Sequence, residues 1–246
     1  MNKSDNKKIY NKNWKNWIDM KRYGPASRWL RALIGDLLLC IDATAIKTVL
    51  DVGSGEGTTT AYLAEKLQSA KVHGVDFSES GIDISRATYK RQNLEFAHDP
   101  DSEALLKQYD LVSSFEVLEH VLDWQKLVER MAGASRKYLL LSFPTGRMRP
   151  FETNVGHLRN FKAREVEEYL AKLGFKPMNV FYAGFPFYSP LYRNLCNMTN
   201  SANNQFTKGT YGTPQRGVSL FFYILFRFFS TTLKHGDQFC GLFIKE

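Results

Sequence analysis

The stretch Val49-Leu50-Asp51-Val52-Gly53-Ser54-Gly55-Glu56-Gly57 has the residue types of a turn that receives a ligand on bare backbone. An apolar run leads into it and a helical pattern leaves it, so it lies beyond the carboxyl end of a strand, where open α/β sheets bind their ligands. Gly53 permits a tight turn, Gly55 lets backbone approach a ligand without a Cβ in the way, and Gly57 lets the next helix pack closely. The N–H groups at the start of that helix favour an anionic group such as an amino-acid carboxylate. A second acid, Asp76, ends the next apolar run 19 residues after Gly57. A carboxylate there can accept both hydroxyls of a ribose, and Phe77 beside it can pack on adenine. The spacing is GxGxG with Asp51 ahead of it, and no Walker lysine follows. Both features count against a dinucleotide dehydrogenase and a P-loop NTPase.

These residues need a scaffold, and the hydrophobic pattern supplies one. From Lys47 onward, apolar runs over Thr48–Val52, Lys71–Asp76, Leu94–Ala97, Tyr109–Phe115 and Lys137–Phe143 alternate with helical patterns over Thr58–Gln68, Glu79–Arg91 and Trp124–Ala132. Such alternation predicts a parallel sheet covered on both faces. After Pro144 come a loop to Asn160, a helix over Lys162–Leu173, a strand over Phe175–Ala183 and a last strand over Gln238–Lys245. The expected fold is α/β: a doubly wound, Rossmann-like, seven-stranded and mostly parallel sheet with its last strand antiparallel. The long connection from Phe185 to Asp237 is too large for a hairpin loop and reads as an inserted helical cap. Residues 1–46 then form a basic arm and closing helices, 47–184 with 238–246 the main domain, and 185–237 the cap.

Composition narrows the classes. Of the net charge of +8, nearly all falls in the first 31 residues, where nine Lys or Arg face only Asp5 and Asp19. The arm over Met1–Asn13 reads as a solvated tail with the capacity to touch an anionic partner. Cys40, Cys196 and Cys240 are far apart and form no metal-ligand spacing, so neither a disulfide framework nor a metal site is expected. The polar N-terminus lacks the apolar core of a signal peptide, and no apolar run reaches the roughly 18 residues that span a bilayer, so a cytoplasmic protein is expected.

The DxGxGxG loop and the strand-ending Asp76 resemble the first two motifs of class I S-adenosylmethionine-dependent methyltransferases. Tyr109-Asp110-Leu111-Val112 with Phe115-Glu116-Val117-Leu118-Glu119-His120-Val121 looks like the fourth-strand motif of that family. Together with Gly156-His157-Leu158-Arg159-Asn160-Phe161, the resemblance is to the broad type 11/12, quinone-methyltransferase-like group. It implies S-adenosylmethionine as cofactor, with Asp51, Gly53, Ser54, Gly55 and Gly57 at its methionine end and Asp76 at its ribose. It also implies Asp99 near the adenine amino group and Glu116 near the methionine end or the transferred methyl. The segment Tyr23-Gly24-Pro25-Ala26-Ser27-Arg28 looks like the N-terminal element that closes over the cofactor in some bacterial members, which puts Tyr23 at the site.

Methyl transfer asks mainly for positioning, and a hydroxyl acceptor also needs a base. His157, in the loop after the fifth strand, is the leading candidate, with His120 the runner-up in a capping or cofactor-shell role. Arg159 is available to hold an acidic group on the substrate, and its alternative use is to fix the loop. Phe185 and Tyr188, with Phe187 and Tyr192, are candidates to line a pocket for a sugar ring or aromatic acceptor. The apolar run Val218–Phe229 is too short to cross a bilayer, at about 18 Å, and is expected to be buried in the protein. Its alternative is a peripheral contact at the inner membrane surface, with the basic arm supplying charge. The expected acceptor is a small molecule, a sugar or a lipid-linked compound. A quinone or aromatic acceptor and a cofactor-binding scaffold without catalysis are the alternatives, and no nucleic-acid partner is expected, because the basic residues lie in one arm.

Overall fold

A computed structural model describes residues 14, 16–198, 209–232 and 236–246. The basic arm over Met1–Asn13 and the centre of the cap at 199–208 lie outside the described residues.

Seven strands, β1 (Thr48–Val52), β2 (Lys71–Asp76), β3 (Leu94–His98), β4 (Tyr109–Phe115), β5 (Ser135–Pro144), β6 (Phe175–Ala183) and β7 (Gln238–Lys245), form one sheet in the order β3-β2-β1-β4-β5-β7-β6. The pairs among β1 to β5 are parallel, while β7 runs antiparallel to both β5 and β6, as expected from sequence. The strand order reverses between β1 and β4, and their carboxyl tips open the crevice in which such sheets bind ligands.

The central strands are apolar on both sides because helices cover both faces. Leu140 packs on one side with Val49, Leu111 and Leu242. Leu139 and Leu141 pack on the other with Leu50, Val112 and Phe243, following the two-residue period of a strand. The first face is covered by α1 (Pro25–Leu38), α2 (Thr58–Lys66) and α3 (Glu79–Thr88), the second by α4 (Trp124–Ala134) and α6 (Glu165–Lys172). α1 buries Trp29, Leu33, Ile34 and Leu37, an i, i+4, i+5, i+8 stripe, and starts with Pro25 in its first turn. A helical stretch at 16–23 precedes it. The two meet so closely that a Cβ on Gly24 would come within 2.2 Å of the Met20 carbonyl oxygen.

Two segments depart from the sequence reading. The expected loop before Asn160 contains a short helix, α5 (Pro150–Asn154). α3 ends at Thr88 instead of Arg91, because Tyr89 turns to extended backbone and brings its hydroxyl within 2.7 Å of Thr58 Oγ1. The cap lies between β6 and β7 and contains an irregular turn over Phe187–Tyr192, α7 (Arg193–Met198) and α8 (Thr213–Phe229). The expectation that the run Val218–Phe229 is buried holds for one side only. Phe226 is buried against Trp29, and Arg227 pairs with Asp36 of α1. Phe221, Phe228 and Phe229 are 61%, 72% and 63% exposed. Among the described residues no helix is long and apolar enough to cross a membrane.

Candidate functional site

The loop after β1 takes the left-handed backbone that its glycines allow, with φ of 80° at Gly53, 53° at Gly55 and 89° at Gly57. Gly53 and Ser54 donate their N–H groups to the Val75 carbonyl of β2 at 2.8 and 3.0 Å, which ties the two strand tips together. Asp76 completes the junction. One carboxylate oxygen accepts from Gly55 N at 2.8 Å, and the other accepts from Ser78 N at 2.7 Å. Burial raises the Asp76 carboxyl to about 6, with these two amides opposing the shift.

Asp51 sits deeper. Its oxygens accept from Thr60 Oγ1 at 2.6 Å and Ser113 Oγ at 2.9 Å, joining β1, α2 and β4, and burial raises it to about 6. Asp51 therefore positions the loop from beneath. Ser54 Oγ is buried and has no hydrogen-bond partner, which is unusual for a buried hydroxyl. An orphaned hydroxyl, bare glycine backbone and a carboxylate at the neighbouring tip fit a polar nucleoside ligand with an amino-acid end.

The flanking candidates fall unequally. Phe77 is half-buried beside Asp76, and its carbonyl accepts from His98 Nε2 at 3.0 Å when that nitrogen is protonated. Asp99 caps the turn Glu103–Leu106, accepting from Glu103 N at 2.8 Å and Ala104 N at 2.9 Å. The ring of Tyr23 packs under the Arg216 guanidinium of α8 at 4.2 Å. Trp14 is the residue that lies across the loop. Its indole would sit 2.4 Å from a Cβ on Gly55, and its Nε1 donates to Ser78 Oγ at 3.1 Å. No pattern in the sequence announces this contact, because Trp14 follows a polar, lysine-rich arm without a motif.

On the other side of the crevice, Glu116 leaves β4 with a φ of 56°, a conformation rare for a side chain of its size and often found at functional sites. Its Oε1 accepts from Ser142 Oγ and from Gln238 Nε2, each at 2.8 Å. Tyr188 of the cap donates to Gln238 Oε1 at 3.4 Å, so the cap, β7 and Glu116 are in one chain of bonds. Tyr188 also packs on Trp29 and Phe226, inside a cluster of rings instead of along an open wall. Phe185 is 45% exposed. Ser142 and Gln238 were missed from sequence; their only signal is a polar residue in an otherwise apolar strand.

Next to Glu116, the short turn Leu118–His120 faces the loop after α5. Glu119 is fully buried, and neither carboxylate oxygen has a hydrogen-bond partner. Burial, and then the charge of Glu116, hold its carboxyl well above the usual range. His120 and His157 stack edge to face at 4.7 Å. Burial pulls His120 to about 3 and His157 to about 4, so both imidazoles are neutral at neutral pH. Lys21, from the stretch 16–23, adds positive charge to the surroundings of Glu116, Glu119 and both histidines. Arg159 donates to the Leu122 carbonyl at 3.0 Å, a loop-fixing contact.

A buried ionic knot fastens the cap above this region. Arg193 of α7 pairs with Glu152 and, at 3.3 Å, with Asp237; Arg149 reaches Asn194 at 3.0 Å and Ser189 at 3.2 Å.

A profile described as a methyltransferase domain matches residues 26–180. The ubiquinone biosynthesis O-methyltransferase of Coxiella burnetii is 36% identical over 121 residues, covering 48% of this chain and 46% of the relative. The malonyl-acyl-carrier-protein O-methyltransferase of Acetivibrio thermocellus is 28% identical over 128 residues, covering 51% of this chain and 45% of the relative. The chain thus matches about half the length of these curated relatives. Among solved structures, magnesium protoporphyrin IX methyltransferase from Synechocystis with bound SAH aligns over 90% of this chain and 84% of its own, with a TM-score of 0.55 at 15% identity, a likeness of fold.

Proposed function

The chain belongs to the methyltransferase-domain family, and from that premise we propose that it transfers a methyl group from S-adenosylmethionine to an oxygen of a small-molecule, sugar or lipid-linked acceptor. The observation that carries this reading is the cradle at the tips of β1 and β2, where left-handed glycines, Asp76 and the orphaned Ser54 Oγ converge. When bound, the cofactor supplies a methyl group already activated by its sulfonium.

The protein's part is to bind and orient. The loop amides and Ser54 Oγ hold the amino-acid end, Asp76 accepts the ribose hydroxyls, and Phe77 packs at the adenine. Asp99, through its place beside Asp76, borders the base. On the acceptor side stand Glu116 and His157. Asn160 holds Nδ1 of His157, so Nε2 is offered to the acceptor hydroxyl, either as a proton acceptor or through a bound cation. Holding reactants in line can supply roughly 7–11 kcal/mol of barrier lowering. Transfer to oxygen is supported by the two relatives, both named as O-methyltransferases.

An aromatic or quinone-like acceptor is the second reading. It is favoured by the acceptor in the name of the Coxiella burnetii relative. The exposed phenylalanines of α8 support, in addition, a peripheral contact with an anionic membrane surface.

Isothermal titration with S-adenosylmethionine tests the reading first, with one site per chain expected. A folded chain that gives no heat and no thermal shift overturns it. Transfer of labelled methyl into fractionated acceptor extracts then identifies the acceptor class.

A further inference from the structure

Two loops from different strands meet at Glu119, His120 and His157, and three bonds clamp them together. His120 Nδ1 donates to the Gly156 carbonyl at 2.9 Å, Leu158 N donates to the Glu119 carbonyl at 2.8 Å, and Arg159 reaches the Leu122 carbonyl. The first of these fixes a tautomer. A carbonyl only accepts, so Nδ1 of His120 carries the proton and Nε2 keeps its lone pair. The same holds for His157 by a longer route. Asn160 Nδ2 donates to Glu152 at 3.2 Å, which orients the amide and turns Oδ1 toward Nδ1 of His157 at 3.5 Å. Nε2 of His157 is then the unprotonated nitrogen.

The third member is Glu119, fully buried, with both oxygens unpartnered and Oε1 3.8 Å from Nε2 of His120. One ligand atom from each residue lies within 4.8 Å of the other two. A buried carboxyl without a hydrogen-bond partner is costly to ionise, and a cation among the three offsets that cost.

We propose that Glu119, His120 and His157 bind a divalent transition-metal ion of the zinc, iron or manganese type. The donor set of two imidazole nitrogens and one carboxylate oxygen suits such ions, and the absence of a cysteine among the three argues against a soft ion such as Cu(I). Ligand atoms about 2.0–2.2 Å from such an ion lie roughly 3–3.5 Å from one another, so side-chain movements of about an ångström complete the shell. The bonds from His120 to Gly156 and from His157 to Asn160 are the outer partners that orient metal-bound imidazoles. Three protein ligands leave a position open, as catalytic sites do. On the methyltransferase reading, that position takes the acceptor oxygen. The ion's charge then releases the hydroxyl proton to water and leaves the electron pair on oxygen, and His157 serves as ligand instead of free base.

The test uses the full chain, stripped with a chelator and titrated with Co2+, followed by visible d–d absorption and by competition with Zn2+. One equivalent of Co2+ is expected, displaced by Zn2+, with the signal lost in Glu119→Gln and in His120→Ala. Asn160→Ala, which spares all three ligands, is expected to weaken binding about 10–100-fold. It remains informative if a ligand variant fails to fold by circular dichroism. A folded wild-type chain that takes up no stoichiometric Co2+ or Zn2+, yet binds S-adenosylhomocysteine, overturns the metal site and leaves the methyltransferase reading intact. Undiminished uptake in the folded Glu119→Gln and Asn160→Ala variants also overturns it. Metal uptake as expected without S-adenosylhomocysteine binding overturns the methyltransferase reading alone.

Discussion

At the tips of β1 and β2 the buried acids are answered: Asp51 by Thr60 and Ser113, Asp76 by the amides of Gly55 and Ser78. Across the crevice Glu119 is buried as deeply and answered by no hydrogen bond. The first region is a finished cradle whose polar groups hold its own backbone in shape until a ligand competes for them. The second is a set of converging acceptors clamped from outside, by Gly156, Asn160 and the knot around Glu152. Preorganisation is thus reached in one place by satisfying polar groups and in the other by forbidding them to relax.

That contrast can be broken by experiment. If the acceptor side carries the chemistry, His157→Ala should lower kcat by about 10²–10⁴-fold while the dissociation constant for S-adenosylmethionine stays near wild type. Wild-type turnover at neutral pH would remove His157 from the mechanism.

The clamp is tested through the knot above it. Arg193 is 2% exposed and pairs with Glu152 and Asp237. Arg193→Ala leaves Glu152 buried without its charged partner and should cost about 3–5 kcal/mol, read as a lower midpoint in urea. A loss below about 1 kcal/mol would mean that the cap is held by its aromatic contacts alone.

The cradle predicts a smaller effect, with a sign set by burial. Asp76 is raised to about 6, so in the free protein it gains a proton as pH falls through that value. Accepting two ribose hydroxyls requires the carboxylate. Affinity for S-adenosylmethionine should therefore be full above about pH 6 and fall roughly tenfold for each unit below it. Asp76→Asn should weaken binding about 10–100-fold and flatten the profile. A pH-independent isotherm between 5 and 7 would place the ribose elsewhere.

The smallest effect on folding is expected at the exposed side of α8. Phe228→Ser should change stability by less than about 0.5 kcal/mol, yet reduce sedimentation with anionic vesicles if that side meets a membrane. No sedimentation of the wild-type chain at low salt would end the membrane reading.

The sheet and the cradle were legible because they are local. Apolar runs in β1 and β2, a GxGxG turn between Val52 and Thr58, and an acid at the end of the next strand specify a strand, its loop and the neighbouring tip within about thirty residues. Every strand expected from the pattern is present, with boundaries moved by a residue or two. Contacts between distant segments were not legible in this way. The ring of Tyr23 lies under Arg216, and only packing of the N-terminal stretch brings Trp14 over Gly55. Which side of Val218–Phe229 meets α1 is decided in three dimensions, where Arg227 pairs with Asp36.

What the sequence alone determined, then, is the class of fold and the cradle at Asp51, Gly53, Gly55, Gly57 and Asp76, because hydrophobic period and backbone freedom act between near neighbours. Only the tertiary structure decided that Glu119, four residues after the end of β4, would be buried facing His120 and His157. Burial depends on what the rest of the chain packs against a side chain, and no local pattern encodes it.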